Sequence, residues 1–86
     1  MRINGHNKMP EGYAPSRIME LLEIDGGWMT TPQMLAEFAH RWPDTTPTVV
    51  LRAFFRVAQR DDLVESDLFV ADALVRPLRR IRALAT

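Results

Sequence analysis

The sequence predicts one small, mostly α-helical domain with a short β-hairpin. Three stretches repeat apolar residues at the three- and four-residue spacing of a helix that buries one side: 16–24, 31–42 and 45–60. A fourth stretch, 63–71, is rich in β-forming residues and has a turn signal at Ser66-Asp67, which predicts two short antiparallel strands. We therefore expect three helices followed by a hairpin.

The composition is that of an ordinary globular protein. The chain has 86 residues, enough for one domain, and is 47% hydrophobic and 26% charged. It contains no cysteine, which excludes disulfides and thiolate metal sites. No apolar run reaches the length of a membrane span, and the N-terminus lacks the apolar segment of a signal peptide. We expect a soluble cytoplasmic protein without a membrane partner.

The formal net charge is zero, which argues mildly against nucleic-acid binding, but the charges are segregated along the chain. Residues 41–60 carry four arginines against one acid, and residues 76–82 carry four arginines and no acid. Between them, residues 61–72 carry five acids and no base. If the two basic segments meet in space, a neutral protein can still present a basic face.

The first half of the chain contains an arm, two helices and a minimal strand. Residues 1–15 have no apolar period and predict a flexible arm. Ser16 is a good N-cap for a first helix that ends near Ile24, before two glycines. Residues 28–30 can form a short strand, after which Thr31 is expected to cap the second helix, with Pro32 in its first turn.

The third helix, residues 45–60, is the element around which we expect the chain to be organised. Thr45 or Thr46 is the expected N-cap, with Pro47 in the first turn, and the helix is expected to end near Asp61-Asp62. At about 100° per residue, one wide face is apolar. That face comprises Val50, Leu51, Phe54, Phe55, Val57 and Ala58.

Three arginines line the opposite edge of this helix at the spacing i, i+4, i+8. With no acid between them, Arg52, Arg56 and Arg60 can lie against a phosphate-lined groove. The alternative is an ordinary solvated face. For Arg60 a purely structural role is preferred to DNA contact, because a cation at a helix C-terminus is stabilised by the helix dipole in any protein.

Threonine hydroxyls at the start of the same helix are further candidates for DNA contact. Thr45, Thr46 and Thr48 can bond a phosphate together with the free N–H groups of the first turn. Capping alone explains one of the three.

The C-terminal segment, residues 76–86, predicts a short basic amphipathic helix or a frayed tail. Leu78, Ile81 and Leu84 are three residues apart and need a surface to cover them, either the chain's own core or a second copy in a homodimer. The arginines between them, Arg79 and Arg80 among them, form a second phosphate-binding patch or flank that contact.

The sequence contains no motif for catalysis or for a cofactor. A phosphate-binding glycine loop, a nucleophile motif and paired catalytic carboxylates are all missing. His6 and His40 are far apart and lack a metal-binding spacing. We therefore expect no enzyme activity, no metal, no cofactor and no small-molecule ligand.

Two phrases of the sequence resemble the winged helix-turn-helix superfamily. Residues 28–36, WMTTPQMLA, are similar to the family's step from first strand to second helix, and residues 51–65, LRAFFRVAQRDDLVE, are similar to its recognition helix running into the first wing strand. The family often has glycine before the Leu-Val pair, where this chain has Asp62. The resemblance covers about residues 16–72 and implies a winged-helix domain over 16–75.

The resemblance implies binding of double-stranded DNA, with Arg52 facing the major groove. Such a protein would be a small transcriptional or replication-associated regulator of the kind common in bacteria and phages. The rival interpretation is a winged-helix module that binds another protein and no DNA. Zero net charge and the acidic wing residues Glu65 and Asp67 favour the rival, and the arginine edge favours DNA. A single broad positive face that joins the third helix to the C-terminus would favour DNA; scattered charge would favour the rival.

Overall fold

Three helices and a small antiparallel sheet make up the computed structural model, which describes residues 13–70 and 72–84. The helices are α1 (Ala14–Asp25), α2 (Thr31–Arg41) and α3 (Pro47–Ala58). The strands are β1 (Met29–Thr30), β2 (Val64–Phe69) and β3 (Leu78–Ala83). Three helices with a small β element are as predicted. Most of the expected N-terminal arm lies outside the described residues.

Helix α1 begins earlier than the sequence predicted. Ser16 is not its cap: the helix already includes Ala14, its N-cap is Tyr13 without a side-chain hydrogen bond, and a proline occupies the first turn. The predicted glycine stop is confirmed. Gly26 has a left-handed φ of 76°, and its N–H donates to the Leu22 carbonyl at 2.9 Å.

Helix α2 is capped by Thr30, one residue before the predicted cap Thr31. The Gln33 N–H donates to Thr30 Oγ1 at 3.4 Å, and the Thr30 N–H donates to Gln33 Oε1 at 2.8 Å. This reciprocal pair is a capping box, and it requires the glutamine three residues after the cap. Thr31 is the first residue of the helix instead.

Helix α3 begins as predicted and ends early. Thr46 is its N-cap and accepts a hydrogen bond from the Val49 N–H at 3.4 Å, with Pro47 in the first turn. The last helical residue is Ala58, three residues before the expected end at Asp61. Arg60 is therefore outside the helix, where its N–H donates to the Val57 carbonyl at 2.9 Å.

The predicted hairpin, with strands at 63–65 and 68–71 around a turn at Ser66-Asp67, is wrong. The C-terminal segment, predicted as a short helix or a frayed tail, contains a strand instead. Strand β2 runs straight through Ser66-Asp67 and pairs with β3, with Val64 opposite Ala83 and Phe69 opposite Leu78. Strand β3 also pairs with β1, so the sheet order is β1-β3-β2. The supposed turn residues are extended because their side chains bind arginines on β3.

The apolar sides of the helices pack with the inner side of the sheet. Ile81, at the centre of β3, is fully buried and lies opposite Met29 on one side and Ser66 on the other. The largest side chains with almost no exposed surface are Phe38, Phe54, Ile18, Leu22, Met34, Ile81 and Val50. The stripe of Leu78, Ile81 and Leu84 was expected to be covered by the core or by a second copy, and its central residue, Ile81, belongs to the core.

Candidate nucleic-acid interface

One side of α3 is exposed. It carries five exposed residues after Pro47, the last of which is the C-cap of the helix, and we call them the α3 outer face: Thr48, Arg52, Phe55, Arg56 and Gln59. At about 100° per residue, these side chains share one sector of roughly 100°. The opposite side is buried in the core through Val50, Ala53, Phe54 and Val57. The core therefore sets the direction in which the outer face points.

The α3 outer face carries positive charge and no acid. Arg52 and Arg56 are both exposed, one turn apart, and α3 contains neither aspartate nor glutamate. Arg56 is in the last turn, where the helix dipole stabilises a cation. Two of the predicted DNA-binding arginines therefore lie on one solvent-facing surface.

Phe55 corrects the sequence-based assignment of the α3 apolar face. It was expected in the core, but 46% of its surface is exposed, beside the arginines. Its ring lies edge-on to that of the buried Phe54, with centroids 5.5 Å apart and planes at 81°. This contact favours one orientation of an exposed aromatic ring. Apart from its helical phase at the edge of the face, the sequence contained no signal for this exposure.

Arg60 is engaged by a neighbouring acid. Its Nε and Nη2 donate to the two carboxylate oxygens of Asp62 at 2.9 and 2.7 Å. The hydrogen bond, with the charge of Asp62, raises the pKa of Arg60, and the same hydrogen bond lowers the pKa of Asp62. Arg60 thus has a structural role through its ion pair with Asp62, and not through the position at a helix C-terminus from which that role was expected.

The three candidate threonines have different environments. Thr45 is 8% exposed, and its Oγ1 is buried without a hydrogen-bond partner among the described residues. Thr46 is exposed and caps α3, while Thr48 is exposed in the first turn. Because the Thr45 hydroxyl does not reach the surface, we leave it out of the proposed interface.

Arg80, predicted to bind phosphate, is held within the sheet. Its Nε and Nη2 donate to Asp67 Oδ1 and Oδ2 at 2.6 and 3.2 Å. Its guanidinium carbon lies 4.3 Å from the ring centroid of Trp28 and 4.9 Å from that of Phe69. The hydrogen bond from Arg80 is the main cause that lowers the pKa of Asp67, so the pair is charged at neutral pH.

The other arginines of β3 are also engaged across the sheet. Arg82 Nη2 donates to both carboxylate oxygens of Glu65, at 2.9 and 3.0 Å. Its guanidinium carbon also lies 4.4 Å from the ring centroid of Trp28. Arg79 Nη1 donates to the neutral Ser66 Oγ at 3.1 Å. Two of the four arginines in the basic C-terminal segment, Arg80 and Arg82, are thus paired with acids of the segment before it.

The far end of the β2–β3 hairpin is apolar and exposed. The sequence interpretation missed this feature because it placed residues 63–71 in a short hairpin of their own and began the next element at residue 76. We call this surface the hairpin end. It comprises Leu68, Phe69, Val70, Leu74 and Val75. Leu74 is 95% exposed, and the others range from 36% to 56%. The only sign of the hairpin end in the sequence was a run of apolar residues between two loop signals.

The described residues also limit which other sites are present. In the ranges 13–70 and 72–84, no three His, Asp or Glu side chains are grouped so that they could hold a metal ion. No helix in these ranges combines the length and the apolar character needed to cross a membrane. Comparison with protein-family models, curated proteins and solved structures finds no match to this chain.

Proposed function

We propose that this chain is a winged helix-turn-helix protein that binds double-stranded DNA through the α3 outer face. The order α1-β1-α2-α3-β2-β3, with β3 between the other two strands, is compatible with that layout. In this proposal α3 is the recognition helix and the β2–β3 hairpin is the wing. A small transcriptional or replication-associated regulator is the corresponding biological role.

The observation that carries the proposal is the acid-free α3 outer face. A guanidinium such as that of Arg52 or Arg56 can bind guanine O6 and N7 or clamp a phosphate. A glutamine such as Gln59 can bind the adenine N6 and N7 edge, and a hydroxyl such as that of Thr48 can bond a phosphate. These side chains project from one exposed helix, the element that the major groove accommodates.

The engaged arginines set the expected strength of binding. Arg80 and Arg82 already neutralise Asp67 and Glu65, so they add little net positive charge to the α3 outer face. Arg79, bound to a hydroxyl, keeps its charge and is the remaining C-terminal candidate. Few phosphates are therefore neutralised, and we expect modest affinity with a shallow dependence on salt, since the slope of log affinity against log salt scales with the number of phosphate contacts.

Arginine substitutions in the α3 outer face test this proposal. We expect Arg56→Ala and Arg52→Ala to weaken binding of a labelled random-sequence duplex and to lower the slope of log affinity against log salt by about 0.9 for each lost phosphate contact. A lost base contact would instead cost about 1–3 kcal/mol at selected sequences. Circular dichroism would verify that each variant is folded.

Arg60→Ala is the matched control, because Arg60 is already bound to Asp62 and lies outside the helix. It should change binding much less than Arg56→Ala. If the Arg52 and Arg56 double variant folds and binds as the parent does, α3 is not the DNA-reading element. If the parent does not bind duplex DNA at low salt, the DNA proposal fails as a whole.

A protein-interaction module without DNA binding is the second candidate function. Two observations favour it: the neutralised arginines of β3 and the exposed apolar hairpin end. Exposed apolar side chains that lie close together can mark a surface that binds a partner, whereas single exposed apolar residues are normal. This candidate requires that the parent does not bind duplex DNA at low salt and that its hairpin end binds another protein.

A further inference from the structure

We propose that the free edge of β2, together with the hairpin end, pairs with the same surface of a second copy of this chain to form a twofold dimer. This proposal does not depend on DNA binding. It also differs from the dimer expected from the sequence, which used Leu78, Ile81 and Leu84 on a helix. In the structure those residues belong to β3 and the residue after it, and Ile81 is buried.

The apolar character of the hairpin end is the first observation. Leu74 is 95% exposed, Leu68 is 56%, Val70 is 54% and Val75 is 53%. Leu74 and Val75 lie in the connection between β2 and β3, where no core packing requires an apolar side chain. A cluster of this kind gains free energy when a partner removes it from water.

The unprotected edge of β2 is the second observation. The sheet order β1-β3-β2 leaves one side of β2 without a neighbouring strand among the described residues. Edge strands are commonly protected from pairing by charged side chains, lysine above all, by proline or by a bulge. The β2 sequence, VESDLF, has no lysine or proline, and its pairing to β3 is continuous over all six residues. Its two charged side chains, Glu65 and Asp67, are bound by arginines of β3. Within the described ranges, 13–70 and 72–84, no strand uses the outward N–H and C=O groups of β2.

Charge decides which partner fits this edge. Glu65 and Asp67 would repel a second copy of β2, but Arg82 and Arg80 of the same chain neutralise them. The chain as a whole has zero formal net charge, which removes long-range repulsion between copies. A strongly basic or acidic partner would not be attracted, because this edge has no net charge. A second copy of the same edge does not need a net charge in order to pair.

A twofold antiparallel arrangement satisfies both observations at once. A register centred on Leu68 places this residue opposite its own copy and Asp67 opposite the partner's Phe69. Val70 then lies opposite Ser66, so no acid faces an acid. Interfaces of this type are self-complementary, because each contact occurs twice. At the centre, Leu68 is covered by its own counterpart.

Sedimentation equilibrium of the full chain, from micromolar to millimolar concentration and without DNA, tests the proposal. We expect the parent to change from monomer to dimer across this range. Leu68→Ser combined with Leu74→Ser should raise the dimer dissociation constant by about tenfold or more, since each change removes apolar burial twice. Ile24→Ser is the matched control: it is a 59% exposed apolar residue on α1 and should not alter association.

Two further measurements keep the test decisive. If circular dichroism reveals that the double variant is unfolded, Leu74→Ser alone replaces it, because that residue lies outside the sheet. Hydrogen exchange on the parent should reveal that the β2 amides not bonded to β3 gain protection as concentration rises. A parent that stays monomeric throughout, or a dimer whose affinity the Leu68 and Leu74 changes leave intact, overturns the proposal.

The same experiment separates self-pairing from other occupants of the hairpin end. If the parent stays monomeric but co-sediments with phosphatidylcholine vesicles through Leu68 and Leu74, the surface binds lipid and the dimer is overturned. Because no DNA is present, failure of the dimer leaves the α3 proposal intact. Equally, a parent that dimerises but does not bind duplex DNA overturns only the DNA proposal.

Discussion

Arg80 and Asp67 join the two long strands through a two-point ion pair, with the Arg80 Nε to Asp67 Oδ1 distance at 2.6 Å. The same guanidinium stacks on the ring of Trp28, the residue before β1. One side chain thus contacts a residue of β2 and the residue that leads into β1. The ion pair holds Asp67 in an extended strand, although Ser66-Asp67 is a turn signal in the sequence.

We predict that Asp67→Asn lowers the melting temperature at neutral pH and that the difference disappears in acid. The hydrogen bond from Arg80 lowers the pKa of Asp67 from its ordinary value of 3.8, so the folded state binds its proton less readily than the unfolded state does. The stabilisation is therefore present above pH 3.8 and is lost as the pH falls through the lower folded-state pKa. Thermal denaturation of parent and variant across this range measures it.

Asp61→Asn is the control for that comparison, because Asp61 is exposed and has no ion pair among the described residues. It should melt as the parent does at neutral pH. An Asp67→Asn variant with the parent's melting temperature at pH 7 would contradict a stabilising role for the pair.

We predict that Thr30→Ala destabilises the domain and that Thr31→Ala does so much less. Thr30 is one half of the capping box, and loss of such a cap costs about 0.5–2 kcal/mol. In a domain of this size each kcal/mol corresponds to roughly 4–8 °C in melting temperature. Thermal melts of the two variants therefore separate the observed cap from the cap expected from the sequence. Equal losses of melting temperature in the two variants would contradict the role of Thr30 as the cap of α2.

We predict that Ile81→Ala destabilises the domain by about 2–5 kcal/mol, the usual cost of truncating a fully buried aliphatic side chain. Ile81 is buried between β1 and β2. Urea denaturation of the variant measures the loss, and Leu74→Ala serves as the exposed comparison, with an expected change within about 0.5 kcal/mol. Similar small effects for both would indicate that the C-terminal segment is not a strand of the core.

We predict, if α3 reads the major groove, that Phe55→Ala removes a preference for thymine over uracil. Phenylalanine at a base edge contacts the thymine methyl group, and the Phe55 ring is exposed beside the arginines. Titrations would compare alternating dA·dT and dA·dU duplexes of equal length, which differ in that methyl group. The parent should favour dA·dT, and the variant should bind both alike while keeping the parent's salt dependence. A parent without any preference contradicts this role for Phe55.

The sequence by itself determined the helices and their phases. The spacing of Val50, Phe54 and Val57 identified the buried side of α3, and Thr46 with Pro47 marked its start. Gly26 marked the end of α1. These features depend on residues within one or two helical turns, so the local sequence contains the necessary information.

The pairing of the strands and the exposure of the surface side chains were decided by the tertiary structure alone. The segment LRRIRA has apolar residues at a spacing that also fits a helix, and it is a strand because the acids of β2, thirteen to seventeen residues away, bind its arginines. Local propensity does not encode such distant pairing. The same pairing neutralises Arg80 and Arg82. The exposure of Phe55 and of the hairpin end likewise depends on which side chains the folded domain covers, and not on helical spacing.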